Sequence, residues 1–384
     1  MLLRLFLILL VSSVMMKGYA QQTKRVCDTI PYEFLEDKIV IPVVVNGVKV
    51  KYILDTGGQT GTMWEDAVKM QVEATGTSVN VADLNGEGMN HQKGALKAIQ
   101  LSPNYMVDRL ETMVLPEVGL FKTLGVAGIL GGDAFAGAVL TIDPRKQVIV
   151  INYPYRPERL KITDGIAIVP NNQHHIIFKM KFGTVEKEVL FDTGAGGFLL
   201  ISQEDFSALK EAGEGISEAT AFGINGIGLA GLTKPIDFEK GYVKEFSLLG
   251  KNFKHVGSIT NPSNMTLIGV DLLKYGKVVV DYLRDRFYFF PFSAQDEDMG
   301  GTPKTWNVSI LPANERFEIT AVWGDMSTQV AVGDQVVNIN GQDLEGLPMS
   351  QLEIDKIMNS IEGDSAYIII QKDGKKNRIE IKKE

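Results

Sequence analysis

The sequence predicts a mainly β protein built from two repeated halves, followed by a small α+β domain. Glycine is frequent, at 39 of 384 residues, and frequent glycine indicates many tight turns. Short apolar runs that end in Asp-Thr-Gly occur twice. Residues 304–384 instead alternate strand and helix patterns. At roughly 100–200 residues per domain, the length accommodates two or three domains.

Each half begins with a predicted β-hairpin that leads into the triplet. Apolar and β-branched runs around a short turn are typical of such hairpins. The runs and their triplets are Ile39–Val45, Val48–Leu54 and Asp55-Thr56-Gly57 in the first half, and His175–Phe182, Val185–Leu190 and Asp192-Thr193-Gly194 in the second.

The later landmarks of the two halves stay in phase. Each half continues with a short helix pattern, a glycine-rich hairpin, an apolar-apolar-Gly segment and a closing strand. In order, these are 64–70, 83–88, Ile129-Leu130-Gly131 and 139–150, and then 203–212, 222–231, Leu267-Ile268-Gly269 and 278–290. The triplets are 137 residues apart (55 to 192), and the segment glycines 138 apart (131 to 269). This near-constant offset indicates an internal duplication.

The duplication brings two carboxyl groups into one site. If the halves pair about a pseudo-twofold axis, the turns holding Asp55 and Asp192 face each other. Two carboxylates within hydrogen-bonding reach cannot both ionise, so they share one proton. One then serves as a general base toward water and the other as a general acid toward a substrate carbonyl.

These residues resemble the signature of the aspartic peptidases of the pepsin and retropepsin superfamily, most closely the secreted bacterial retropepsin-like type. The resemblance covers roughly residues 30–292. It implies a bilobal acid-protease fold with two β-barrel-like lobes, at 21–158 and 159–292. It also implies an aspartic endopeptidase in which Asp55 and Asp192 activate water on a peptide or protein substrate. Because one chain carries both halves, a monomer is sufficient for the active site.

The other residues of the two triplets are predicted to shape the paired loops. Glycine allows close backbone approach, and the threonines can hydrogen-bond across to the opposite loop. These loop-shaping residues are Thr56, Gly57, Thr193 and Gly194.

The sequence departs from the pepsin-like pattern around the catalytic loops. Gly58 and Ala195 stand where a Ser or Thr often donates to the carboxylates. Losing these donors raises the pKa values expected for the dyad, which predicts a mildly acidic to near-neutral optimum. The first flap candidate, 80–94, contains no tyrosine, whereas the second resembles a retroviral flap. The glycines predicted to lie in substrate-covering flaps are Gly86, Gly88, Gly223, Gly226 and Gly228.

The C-terminal region resembles a PDZ domain. The match is the run from Gly333 to Gly341, followed by a helix at 349–360 and a hairpin across Asp373-Gly374. A polar stretch, 293–303, is predicted to be the linker before it. PDZ domains bind a peptide C-terminus by adding it to a sheet edge. The expected carboxylate-binding loop, 311–315, contains no glycine, which leaves peptide binding by this domain open.

The first 20 residues are typical of a secretory signal peptide. Arg4 precedes an apolar run, 5–16, and Gly18-Tyr19-Ala20 offers a cleavage site. The run is too short to span a bilayer, so we expect an extracytoplasmic protein, periplasmic or secreted, with no membrane span after cleavage. A retained N-terminal anchor is the alternative.

Composition argues against several other classes. The net charge is −8, from 39 basic and 47 acidic residues, and nucleic-acid binding relies on Lys and Arg. The lone Cys27 permits no intrachain disulfide. The four histidines are too scattered to define a zinc site, and we interpret His174-His175 as surface or strand-end residues. We predict no metal and no cofactor. The repeated Asp133, Asp271, Asp143 and Asp281 are interpreted as structural.

Two alternatives to a constitutive enzyme stay open. The chain would be an inactive protease-like protein that binds a peptide or a cell-envelope ligand, with the PDZ-like domain as a tether. Or it would be a peptidase that is latent until the C-terminal domain or the segment 21–36 moves.

Overall fold

The computed structural model describes residues 25–82, 88–225, 227–228 and 231–384. Strands account for 53% of the protein and helices for 14%, which confirms the prediction of a mainly β fold. The predicted signal peptide and the flap glycines Gly86 and Gly226 lie outside the described residues. Within the described residues, no helix has both the length and the apolar character needed to cross a membrane.

The first half contains eleven described strands and two short helices. They are β1 (Val26–Pro31), β2 (Glu33–Leu35), β3 (Lys38–Val45), β4 (Val48–Leu54), β5 (Gly61–Met63), α1 (Trp64–Lys69), β6 (Glu73–Ala82), β7 (Gly88–Gln100), β8 (Met106–Leu115), α2 (Gly119–Leu124), β9 (Gly128–Leu130), β10 (Val139–Asp143) and β11 (Val148–Tyr153). Strands β2 to β9 form one eight-stranded sheet.

The second half repeats this plan. Its elements are β12 (Ile166–Ala167), β13 (Ile176–Phe182), β14 (Val185–Phe191), β15 (Leu199–Leu200), α3 (Gln203–Glu211), β16 (Gly215–Gly223), β17 (Ile227–Gly228), β18 (Gly231–Leu232), β19 (Ile236–Leu248), β20 (Lys251–Ile259), β21 (Thr266–Ile268), β22 (Gly276–Asp281) and β23 (Arg286–Pro291). Helix α3 is capped by Ser202, whose hydroxyl accepts the backbone N–H of Asp205, as expected for an N-terminal serine.

A six-stranded sheet joins the two lobes, in the order β1-β11-β10-β22-β23-β12. Its centre is the antiparallel pairing of β10 with β22, in which Leu140 lies opposite Val280. Each predicted closing strand is in fact a hairpin of two strands. The Asp143 carboxylate accepts the N–H of Lys146, and Asp281 accepts the N–H groups of Leu283 and Arg284. These aspartates therefore end their strands and begin turns.

One apolar core runs through both lobes and the sheet between them. It includes Leu54 and Leu140 from the first half and Phe191 and Val280 from the second. The mainly β, bilobal architecture is an acid-protease-like fold, as predicted. Strand β1 pairs along its length with β11, so this part of the segment once considered as a covering segment is an integral strand of the central sheet.

The C-terminal region has a separate core of its own, which includes Ile319, Ile339 and Ile368. The elements of this region are β24 (Glu297–Gly301), β25 (Val308–Ala313), β26 (Arg316–Trp323), β27 (Gln335–Ile339), β28 (Gln342–Asp343), α4 (Gln351–Ser360), β29 (Ser365–Lys372) and β30 (Lys375–Lys382). The helix and the final hairpin follow the sequence prediction closely.

Two features differ from the expectation of a free linker and a separate tail. Strand β24, inside the predicted linker, pairs in parallel with β20. The buried Lys251 donates to the carbonyl of Gln295 and to Glu297, and Lys254 pairs with Asp296. The acidic residues that suggested a solvated linker are thus held against basic residues of the second lobe.

The C-terminal domain also extends the sheet of the second lobe. Strand β26 pairs antiparallel with β16, with Ala221 opposite Trp323 and Gly223 opposite Ala321. The buried Lys240 donates to the carbonyl of Glu384. The domain is therefore docked on the lobe that carries the second flap candidate.

Candidate active site

The two triplets lie at equivalent places in the two lobes, each at the end of a buried strand. The segment Ile129–Leu130 runs parallel to β4, and Leu267–Ile268 runs parallel to β14. The backbone N–H of Asp55 donates to Leu130 O at 3.0 Å, and that of Asp192 donates to Ile268 O at 2.9 Å. Each repeated apolar segment therefore anchors one aspartate.

The glycines that follow those segments allow the loops to pack backbone against backbone. A β-carbon added to Gly131 would lie 2.5 Å from the carbonyl oxygen of Gly58, and one added to Gly269 would lie 2.4 Å from that of Gly197. Real side chains do not tolerate such contacts. This explains physically why both segments end in glycine.

The threonines of the triplets cross the pseudo-twofold axis. The hydroxyl of Thr56 accepts the N–H of Thr193 at 3.0 Å and donates to the carbonyl of Phe191 at 2.8 Å. Reciprocally, the hydroxyl of Thr193 accepts the N–H of Thr56 at 3.1 Å and donates to the carbonyl of Leu54 at 2.7 Å. Both threonines are fully buried, so these four bonds hold the loops in one relative position.

Asp55 and Asp192 lie within hydrogen-bonding contact of each other. Burial, followed by the charge of Asp192 and the hydrogen bond to it, raises the pKa of Asp55 well above its usual range. Two carboxyl groups this close in a buried site retain a shared proton. The structure therefore brings the two predicted catalytic residues into a single proton-sharing pair.

Backbone N–H groups also reach the carboxyls. Gly57 N donates to Asp55 Oδ1 at 3.1 Å, whereas Asp192 Oδ1 accepts from Gly194 N at 2.7 Å and Ala195 N at 3.2 Å. A β-carbon on Gly58 would lie 2.7 Å from Asp55 Oδ2. The loop geometry here leaves no ordinary space for the serine or threonine that the family pattern has.

The flap candidates are only partly described. In the first lobe, β6 and β7 pair up to Ala82 and Gly88. In the second, Gly228 lies in a short strand pair with Gly231, and Gly223 ends β16. A β-carbon on Gly223 would lie 2.2 Å from the carbonyl oxygen of Thr320. Gly223 therefore contacts the C-terminal domain closely.

The other repeated aspartates support the loops. Asp133 accepts the hydroxyl of Thr60 at 2.7 Å and the N–H of Ala134 at 3.1 Å, and burial raises its pKa. Thr60 in turn accepts the N–H of Gly131. Asp271 pairs with Lys274. These contacts tie the loop after Asp55 to the segment that follows Gly131.

The sequence analysis missed two basic residues beside the dyad. Lys38 Nζ donates to the carbonyl of Gly194, in the opposite lobe, at 2.8 Å. His175 is half-buried, and the charge of Asp192 acts on it. The interpretation of His175 as a residue away from the site was therefore wrong. The signal was present in the sequence, because positions 38 and 175 are also 137 residues apart.

Two further expectations concern ligands. Among the residues that the structure describes, no group of three or more His, Cys, Asp or Glu side chains is arranged to hold a metal ion. In the C-terminal domain, Asn314 and Glu315 form a tight turn between β25 and β26 with positive φ angles of 47° and 59°. The segment 311–315 is thus a closed hairpin end in which Asn314 donates to Glu318.

Fold and site together define a bilobal, acid-protease-like protein with one aspartate from each lobe in a shared site. No protein-family model and no curated protein sequence matches the chain. Among solved structures, the chain is similar to the aspartic proteinase from Irpex lacteus. The two share 12% sequence identity over 70% of this chain and 98% of that chain, with a TM-score of 0.43.

Proposed function

We propose that this protein is an aspartic endopeptidase that hydrolyses peptide bonds with water activated between Asp55 and Asp192. The observation that carries the proposal is the hydrogen-bonding contact between these two carboxyl groups, one from each lobe. The four threonine bonds support it, because they fix both loops in the geometry that proton sharing needs.

The chemistry needs one ionised and one protonated carboxyl. The ionised carboxylate accepts a proton from water as the water oxygen bonds to the substrate carbonyl carbon, and the protonated carboxyl donates its proton to the carbonyl oxygen. A neutral gem-diol results. The C–N bond then breaks as the nitrogen takes the first proton and a diol hydroxyl returns the other. Both carboxyls regain their starting states, so the dyad itself completes the proton transfers.

The remaining expectations follow from the same proposal. One chain contains both lobes, so the site requires no second copy. A peptide or protein is the substrate class, and an extracytoplasmic location fits the signal-like residues 1–20. The PDZ-like interpretation of residues 304–384 and its possible peptide ligand remain part of this proposal.

The decisive experiment is cleavage of an unfolded protein and a peptide library between about pH 4 and 7, with products identified by mass spectrometry. Asp55→Asn and Asp192→Asn are each expected to abolish cleavage. Asp143→Asn is the matched control, because Asp143 forms a turn in the central sheet. Cleavage that persists unchanged in both dyad variants would overturn the proposal and leave the binding-protein alternative.

A further inference from the structure

We propose that the resting dyad is asymmetric: Asp192 holds the negative charge, Asp55 holds the proton, and His175 is the positioning residue that favours this arrangement. The inference rests on the proposed function and deepens it, since it assigns Asp192 as the base and Asp55 as the acid. Three independent features of the geometry support it.

The first feature is strand register. In β13–β14, Ile176 lies opposite Phe191, so the next pair in the same register is His175 with Asp192. In β3–β4, Val40 lies opposite Ile53, and continuing that register places Lys38 opposite Asp55. Directly opposite residues of an antiparallel pair share a face. Each lobe therefore sets a basic residue beside its own aspartate.

The two basic residues are not equivalent, although the chain enters both strands similarly. The preceding residues, Asp37 and His174, both have positive φ angles, 56° and 58°. Lys38 nevertheless reaches away from its own lobe, because its Nζ donates to the carbonyl of Gly194. His175 keeps no such partner: its Nε2 is buried and has no hydrogen bond within the described structure. Both cations are thus on the side of the second-lobe loop.

The second feature is the supply of N–H donors. Asp192 Oδ1 accepts two N–H groups, the shorter at 2.7 Å, whereas the side-chain bond from Gly57 to Asp55 Oδ1 is 3.1 Å. N–H donors stabilise the ionised form of a carboxyl group. Their shorter and more numerous bonds favour the charge on Asp192.

The third feature is the setting of His175 itself. Asn171 holds its backbone on both sides, accepting the N–H at 2.9 Å and donating to the carbonyl at 2.8 Å. Burial is the largest influence and lowers the pKa of His175; Asp192 acts to raise it, and His174 acts to lower it. The other charged groups on this loop are Lys38, at Gly194, and Asp37, which lies near Gly196.

This arrangement predicts how His175 acts during turnover. At acidic pH the protonated imidazole stabilises the Asp192 carboxylate, so the singly charged dyad persists to lower pH. Near neutral pH the imidazole is uncharged, and its influence on the dyad is small. His175 should therefore affect the acid limb of the rate profile and leave the alkaline limb in place.

Chemical labelling tests the position of the charge without requiring turnover. An ionised carboxylate opens an epoxide: its oxygen bonds to a ring carbon, the ring C–O bond breaks, and the new alkoxide takes a proton from the neighbouring carboxyl. With a small aromatic epoxide and peptide mapping by mass spectrometry, the ester is expected on Asp192. Labelling of Asp55, or equal labelling of both, would overturn the assignment.

The rate profile tests His175. In His175→Gln, which keeps a polar amide but cannot charge, the acid limb of kcat/KM should move to higher pH by roughly one unit, as expected for a cation removed from beside a carboxylate. His174→Asn is the matched neighbour and should leave the limb in place. An unmoved limb in His175→Gln, or an equal shift in both variants, contradicts the role of His175.

The two proposals fail differently. If the dyad variants cleave like the wild type, the endopeptidase proposal is lost, while epoxide labelling still reports where the charge lies. If cleavage needs both aspartates but the label falls on Asp55, the enzyme stands and the asymmetry is wrong.

Discussion

Gly194 of the second lobe lies directly against Asp55 of the first. A β-carbon on Gly194 would be 2.5 Å from the carboxyl carbon of Asp55, and one on Gly57 would be 2.3 Å from that of Asp192. Each triplet glycine therefore leaves the space that the opposite carboxyl occupies. The close approach of the two aspartates depends on these absent side chains.

Gly194→Ala should consequently inactivate the protein. The added methyl group has to displace the Asp55 carboxyl or separate the loops, and a displacement of about 1 Å in a catalytic group lowers rates by about 100-fold. Peptide cleavage measured at saturating substrate, with folding checked by circular dichroism, provides the test.

Gly196→Ala is the control for that substitution. Its added β-carbon would meet only Asp37, at 3.9 Å, which is an ordinary contact distance. Its activity should stay within about threefold of wild type, as for a surface substitution. If both variants retain full activity, the close packing of the loops has no catalytic importance.

The repeat made much of this architecture predictable from sequence. The apolar-apolar-Gly segments were placed correctly because an apolar parallel strand has to cover each Asp-bearing strand. The short helices α1 and α3 were also found, at Trp64–Lys69 and Gln203–Glu211. In these cases the signal is local, since a few consecutive residues specify the element.

Long-range pairing was harder to predict. The acidic segment containing Glu297 has the composition of a linker, and only Lys251, about 46 positions earlier, makes it a strand. His175 has no local feature of a site residue, because its importance arises from register with Asp192. The docking of β26 on β16 similarly depends on two segments about a hundred residues apart.

Thr56→Val should destabilise the protein although the two side chains have similar volumes. It removes the hydroxyl that donates to Phe191 O and accepts from Thr193 N, and Thr56 is fully buried. Leaving buried polar groups unpaired costs about 1–3 kcal/mol for each group. The midpoint of urea unfolding should fall accordingly.

Thr56→Ser separates the hydroxyl from the methyl group. Serine retains both hydrogen bonds, so we expect a loss of no more than about 1 kcal/mol, the value for one buried methyl group. The double variant Thr56→Val/Thr193→Val should lose less than the two single losses combined, because the hydroxyls share one network. Equal losses for Ser and Val at position 56 would argue against the network.

Asp55→Asn should stabilise the fold near neutral pH. The pKa of Asp55 is raised by burial and by Asp192, so its contribution is complete below the unfolded value, near pH 4, and declines as pH rises toward the folded value. Asparagine does not ionise and escapes this loss. Each unit of pKa difference corresponds to about 1.4 kcal/mol.

Thermal unfolding at two pH values checks this expectation. The Tm of Asp55→Asn should exceed that of the wild type at pH 7.5 by a few degrees and approach it at pH 4. Asp143→Asn, in the turn before Lys146, should show the same small difference at both pH values. A gain for Asp55→Asn that is larger at pH 4 would contradict the linkage.

Gly223→Ala should detach the C-terminal domain from the second lobe. Gly223 has a φ of 149°, which side chains rarely adopt, and its added β-carbon would lie 2.2 Å from Thr320 O. That same carbonyl accepts the N–H of Ile224 at 2.7 Å. The substitution therefore strains both the backbone and the pairing of β16 with β26.

Hydrogen–deuterium exchange measures this detachment directly. In Gly223→Ala, peptides covering β16 and β26 should exchange faster, by about tenfold for each 1.4 kcal/mol of lost local stability, while the central sheet stays protected. Thr320→Val is the control at the same contact, because the Thr320 hydroxyl is buried without a partner in the described structure and the carbonyl is retained. Unchanged exchange in Gly223→Ala would show that the interface does not depend on the close approach of these strands.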